Sequence, residues 1–219
     1  MSPVLGLWLV AAHAGDLNFS PDRPGVGDST GTVGAGHVMV EGGVTVLPVS
    51  PVSGGTSGIM GRFGVDDGLE LRLRAPDIGI GGGVSVGSIG LGAKVAAAEG
   101  ERWSVSAVPE LFFDPTAAAL GGGVNTNVAL ALDPMSFWVH SGLVVFQGVG
   151  AVLGGGAAVA FGDGGLYING GHAVATTSFG GVGGWWAASP TVQLDAGVDM
   201  YATGADISPV VLVGTSIGF

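Results

Sequence analysis

Leu69-Glu70-Leu71-Arg72-Leu73-Arg74 puts three leucines on one face of an extended chain and three charges on the other. Successive side chains of a strand point to opposite sides, so this alternation marks a strand lying between an apolar and a polar environment. Thr191 to Met200 repeats it, with Val192, Leu194, Val198 and Met200 opposite Gln193, Asp195 and Asp199. The last strand sets Val211, Val213, Ile217 and Phe219 against Gly214, Ser216 and Gly218. Less regular alternation runs through 37–47, 57–65, 84–98, 103–114, 121–132, 136–147, 149–161, 165–175 and 177–187. The total is about twelve strands, an even number of the kind used by single-chain outer-membrane barrels.

Composition narrows the class. Of 219 residues 47% are hydrophobic and 11% charged, where a soluble domain spends about a quarter on charges, so something other than water covers much of the outside. That hydrophobic share excludes a disordered chain, and the aperiodic spacing of 45 glycines excludes collagen. A net charge of -11 with only six Lys and Arg argues against nucleic acid, because phosphate binding needs clustered cations. The absence of cysteine removes disulfides and Cys-ligated metals. No charged or Pro-rich linker divides the chain after residue 36, which reads as one domain.

Residues 1–14 read as a signal peptide, with an apolar run from Val4 to Ala12 and Ala12-His13-Ala14 at its end, although no Lys or Arg precedes the run. Residues 15–36 then form an N-terminal periplasmic segment or plug, and 37–219 the barrel. Gly142 to Gly162 is long and apolar enough for a membrane helix of about 20 residues. Its seven glycines each cost a helix about 1 kcal/mol relative to Ala, so two strands meeting at a Gly-rich loop explain it better.

The connections carry a second pattern. Asp66-Asp67-Gly68, Glu99-Gly100-Glu101, Asp133-Pro134, Asp163-Gly164 and Ala188-Ser189-Pro190 are short and rich in turn residues, as periplasmic turns are. Pro48 to Thr56, Pro76 to Gly83, Asp114 to Leu120 and Thr203 to Pro209 are longer and are expected outside. Phe63, Trp103, Phe137, Trp138, Phe161, Tyr167, Trp185, Trp186 and Phe219 fall at the short-turn ends. Phe112, Phe113, Phe146, Phe179 and Tyr201 fall near the opposite ends, so two aromatic girdles are expected. An ordinary soluble β-sandwich, the rival fold, has no reason to sort aromatics by strand end.

The fold expected is therefore all-β, a transmembrane antiparallel up-and-down barrel. Its alternation sends Glu41, Arg62, Glu70, Arg72, Arg74, Lys94, Glu110, Asp195 and Asp199 to the lumen, since Arg or Lys facing lipid near the midplane costs about 2–4 kcal/mol. As a pore lining, Arg62, Arg72 and Arg74 facing Glu41 and Glu70 would set a transverse field across a conduit. As structural fill, the same groups would form ion pairs that pack a narrow barrel.

Catalytic motifs are weak. Gly83-Val84-Ser85-Val86-Gly87 matches G-x-S-x-G, yet it lies in a strand with no following helix, and the motif needs a strand-to-helix elbow. His140 and Ser141 are neighbours in a strand and face opposite sides, so they cannot act as a dyad. His37, His140 and His172 lack metal-ligand spacing. No enzyme and no cofactor is expected; a hydrolase would require Ser85 or Ser141 to lie beside a His and a third polar group.

Several short motifs resemble the outer-membrane transporter-like family associated with the meta-pathway of phenol degradation. They are Asp22-Arg23-Pro24, Gly31-Thr32-Val33-Gly34, Val40-Glu41-Gly42-Gly43-Val44, Phe63-Gly64-Val65, Leu69-Glu70-Leu71-Arg72, Gly92-Ala93-Lys94 and Leu194-Asp195-Ala196-Gly197. The resemblance spans roughly residues 20–219 and implies passage of small organic molecules, aromatic or apolar ones included, across the bacterial outer membrane. Phe219, an aromatic last residue on an alternating strand, resembles the signal by which such barrels engage their assembly machinery. Lipids and a small solute are the other partners expected. The alternative function is a closed structural or interaction barrel without transport.

Overall fold

The computed structural model describes residues 17, 19–22, 28–48, 53–56, 58–81, 83–146, 148–174 and 177–219. The expected signal peptide, 1–14, lies outside the described residues, as do parts of the 15–36 segment. Fifteen strands are present: β1 (Val38–Leu47), β2 (Ser53–Thr56), β3 (Met60–Asp66), β4 (Leu69–Arg74), β5 (Ile78–Ile80), β6 (Val84–Val86), β7 (Ile89–Glu99) and β8 (Trp103–Asp114), then β9 (Ala119–Leu132), β10 (Met135–Val145), β11 (Val149–Phe161), β12 (Gly164–Ala173), β13 (Thr177–Ser189), β14 (Val192–Thr203) and β15 (Asp206–Gly218).

Pieces β2 and β3, β4 and β5, and β6 and β7 are three long strands, with interruptions that include 58–59, 75–77 and 87–88, so the wall counts twelve. Neighbours pair antiparallel in sequence order, and β15 closes on β1 from Met39↔Gly218 to Val46↔Val211. Phe219 and Val38 seal that seam by exchanging backbone hydrogen bonds at 2.8 and 3.1 Å. A closed barrel leaves no edge, which is what a sheet in hydrocarbon requires.

Burial alternates with the pleat. On β4 the outward Leu71 and Leu73 are exposed while Glu70 and Arg72 are buried; on β14 Leu194, Val198 and Met200 are exposed while Gln193, Asp195 and Asp199 are buried. The outside is a belt of Val, Leu, Ile and Phe, and the inside holds the polar groups. In a soluble sandwich this partition would be reversed. Gly142–Gly162 forms β10 and β11 rather than a helix.

Two expectations need correction. The outer connections are not generally long, because β2 and β5 lie within 48–56 and 76–83, and β14 joins β15 through Gly204 and Ala205 alone. Between β14 and β15 the pairing runs to Thr203↔Asp206, so that turn is tight. The aromatics also do not all belong to girdles. Phe63, Trp103, Phe137, Phe161, Trp186 and Phe219 face outward at the short-turn end. Trp138, Tyr167 and Trp185 face inward and pack together with Ala158 and Ala160. At the outer end Phe113 is exposed, whereas Phe112 shares the inward parity of Glu110 and packs at a tilt against Phe146 with ring centroids 5.5 Å apart. The strand end sets an aromatic's depth; its parity sets its side.

Candidate functional site

The interior divides into two walls. On the first, registered pairing brings Glu41, Arg62, Glu70, Arg72 and Lys94 together, with Met39↔Arg62, Arg62↔Arg72 and Glu70↔Lys94 as partners. Arg62 donates from Nε and Nη2 to the two Glu70 oxygens at 2.8 and 2.9 Å, and from Nη1 to Glu41 Oε1 at 2.6 Å. Arg72 donates to Glu70 Oε1 at 2.8 Å. This wall carries three cations against two carboxylates, a surplus of one positive charge.

The N-terminal segment meets that surplus. Asp22 takes Lys94 Nζ at 2.6 Å and is paired with Arg72 Nη2, while Asp28 takes Arg72 Nη1 at 2.9 Å. The Asp22 N–H donates to Glu41 Oε2 at 3.0 Å and the Val33 N–H to Glu70 Oε2 at 3.0 Å. Carbonyls of Ser20 and Gly31 accept from Arg62 at 2.8 and 3.1 Å. Ser29 caps the Asp22 carboxylate from its N–H and hydroxyl at 2.9 and 2.7 Å. Burial alone would raise the Asp22 pKa, but the Arg62, Arg72 and Lys94 charges hold the carboxyl well below its usual range. Phe19 and Val33 pack on Met39. Gly64 is required here, since a Cβ would strike the Gly34 carbonyl.

The second wall, β10 to β14, contains no Lys or Arg. Its inward residues alternate between large groups and glycine on the neighbouring strand: Trp138↔Gly156, His140↔Gly154, Tyr167↔Gly183, Phe179↔Gly171 and Asp199↔Gly181. A Cβ at Gly154 would meet the His140 ring, and one at Gly181 the Asp199 carboxylate. Among the described residues His140 Nδ1, both amide atoms of Asn169 and Asp199 Oδ1 are buried without a hydrogen-bond partner. The Asn169 amide and the Asp199 carboxylate lie beside each other, on either side of Gly181.

The nine expected lumen residues thus fall into three groups. Glu41, Arg62, Glu70, Arg72 and Lys94 form the network under the N-terminal segment. Arg74 and Glu110 pair at 3.1 Å and are the more exposed. Asp195 and Asp199 lie on the second wall, on the buried positions of β14. Sequence reasoning missed His140 and Asn169, whose signal was their parity with Tyr167 among glycines, and Asp28 and Ser29, which sit in a segment without periodicity. Ser141 lies on the outward face, opposite His140, and Ser85 is exposed on β6.

No protein-family model and no curated sequence matches this chain. Solved structures do. An outer membrane channel from Pseudomonas putida F1 superposes with a TM-score of 0.65 at 13% identity, covering 90% of this chain and 99% of that one. The fold is that of an outer-membrane porin-type β-barrel. The KdgM porin matches it at TM-score 0.62 and 12% identity over 83% of this barrel and 99% of its own chain. The NanC porin gives 0.60 and 8% over 82% and 98%. Identities this low carry the architecture, while the side chains inside this barrel must be read for themselves.

Proposed function

We propose that this chain is a bacterial outer-membrane channel for the passive passage of small organic solutes, with residues 15–36 docked as a plug on the charged wall. The observation that carries the reading is the second wall, where His140 Nδ1, the Asn169 amide atoms and Asp199 Oδ1 are buried on the inward side without a hydrogen-bond partner among the described residues. A barrel that existed only as a scaffold would gain from filling those positions with apolar side chains, because each unpaired buried polar group costs about 1–3 kcal/mol. In this reading Glu41, Arg62, Glu70, Arg72, Arg74, Lys94, Glu110, Asp195 and Asp199 line the conduit, and no chemical step or cofactor is involved. The motifs that resemble the phenol meta-pathway family extend the proposed cargo to aromatic solutes. Lipid contacts the apolar belt, and Phe219 engages the assembly machinery.

The closed structural barrel is favoured by one observation, the buried ion-pair network that ties Asp22 and Asp28 to the first wall. Swelling of proteoliposomes in solutes of increasing size separates the two. A channel gives swelling whose rate falls with solute size; a closed barrel leaves the liposomes unchanged.

A further inference from the structure

We propose that the N-terminal segment sets the charge selectivity of the conduit: with Asp22 and Asp28 docked, cations pass in preference to anions. The wall of β1, β3, β4 and β7 by itself presents Arg62, Arg72 and Lys94 against Glu41 and Glu70, so its own charge is positive. Next to it Arg74 and Glu110 cancel each other at 3.1 Å. A bare wall of this kind would draw anions.

Docking inverts the sign. Asp22 is paired with Arg72 and lies 2.6 Å from Lys94 Nζ and 3.6 Å from Arg62 Nη1, while Asp28 lies 2.9 Å from Arg72 Nη1. Four carboxylates then face three cations, and a surplus of one positive charge becomes a deficit of one. Arg62, Arg72 and Lys94 are buried under these contacts and present no charge to an anion.

The rest of the barrel supplies no counterweight. From Trp103 to Phe219 the chain has no Lys or Arg and seven Asp or Glu, and Arg102, exposed at a short turn, follows Glu99 and Glu101. Carboxylates along a pore favour cations. They act at a distance, so no pocket is needed: a unit charge about 10 Å away through water changes an ion's local concentration about twofold, in opposite directions for cation and anion. Asp22 and Asp28 together therefore shift the cation-to-anion ratio several-fold at low salt, and less as screening shortens their reach.

The proposal deepens the channel reading and rests on it. Reversal potentials of the full chain in a planar bilayer test it, under an about tenfold KCl gradient kept below about 0.1 M so that charges act over about 10 Å or more. The wild type should pass K+ over Cl− by at least about threefold. Asp28→Asn should lower that ratio, and Asp22→Asn combined with Asp28→Asn should lower it by at least about threefold in all. Arg74→Gln, which removes the cation facing Glu110, should raise it. Heat-modifiable gel migration verifies that each variant has folded, and Asp28→Asn, which keeps the Asp22 contacts to Arg72 and Lys94, carries the test if the double variant has not. A wild type that is unselective or favours Cl− overturns the proposal. So do ratios that stay fixed in the folded variants while conductance alone changes, since the two aspartates would then be structural. No current from any of the folded proteins sinks the channel reading itself; current with the wrong ratios leaves the channel standing and removes this proposal alone.

Discussion

On the wall made by β1, β3, β4 and β7, the buried charges of Glu41, Arg62, Glu70, Arg72 and Lys94 find partners on one another and on residues 20–22 and 28–33. Across the lumen, on β10 to β14, His140, Asn169 and Asp199 keep polar atoms unpaired against a background of glycine. Both walls face away from the same apolar belt, and both are polar, yet the charges of the first are paired by the chain itself while the second keeps four buried polar atoms without a partner among the described residues. The difference teaches that inward polarity in a barrel takes two forms, charges closed on one another and polar groups set among glycines. The hydrogen-bond inventory separates them where the alternation pattern cannot.

The largest effect should come from breaking the saturated wall at its centre. Arg62→Met leaves Glu41 and Glu70 short of their main counter-charge in a buried site, a loss of about 3–5 kcal/mol. The folded band on a heat-modifiability gel should disappear at a clearly lower temperature than in the wild type. Arg102→Met, at an exposed turn position, is the control and should leave the transition in place. Equal behaviour of the two would mean the network contributes nothing.

Next in size is a test of the partition itself. Val139 is 54% exposed on the outward face of β10, beside the buried His140. Val139→Arg should cost about 2–4 kcal/mol in lipid, the value for a cation near the midplane. Unfolding in detergent or lipid with denaturant measures it. A neutral outcome would place that face in water.

Asp22 offers a smaller effect with a defined pH signature. Because its folded pKa is depressed, the carboxylate stabilises docking at every pH above the ordinary aspartate range. That stabilisation is lost only as pH falls through the lowered value. Protection of residues 17–33 from protease should therefore stay constant from about pH 5 to 8 and fail in strong acid. Asp22→Asn should weaken docking by about 1.5–3 kcal/mol at neutral pH and remove the acid step. Protection lost already near pH 6 would contradict the assignment.

Ser104→Ala is the mildest. It removes the 2.6 Å contact with the Thr30 hydroxyl and should reduce protection of the segment by about 0.5–1.5 kcal/mol without altering the barrel transition.

Much of this fold was legible in the sequence because a membrane barrel writes its environment with period two. Leu69 to Arg74 and Thr191 to Met200 state both faces outright, and glycine ruled out a helix at 142–162. The outer connections were harder, since the short β2 and β5 are built from Ser, Gly, Thr and Ile that resemble loops. Trp138, Tyr167 and Trp185 were assigned to a girdle by depth, although their parity with His140, Asn169 and Asp195 points inward. The charged set was legible as inward, but not its closure. Asp22 and Ser29 meet Lys94 from 72 and 65 residues away, a proximity that no local pattern encodes. The unpaired groups of the second wall become visible only when every neighbour of His140 and Asn169 is in place.

Planar-bilayer recording of the full chain beside its Asp22→Asn, Asp28→Asn variant tests the central claim most directly. If the charged wall is closed by the N-terminal segment while the glycine-backed wall lines a conduit, the variant should conduct more, and for longer openings, than the wild type. Silence from both proteins, in barrels shown by heat-modifiable migration to be folded, would contradict it.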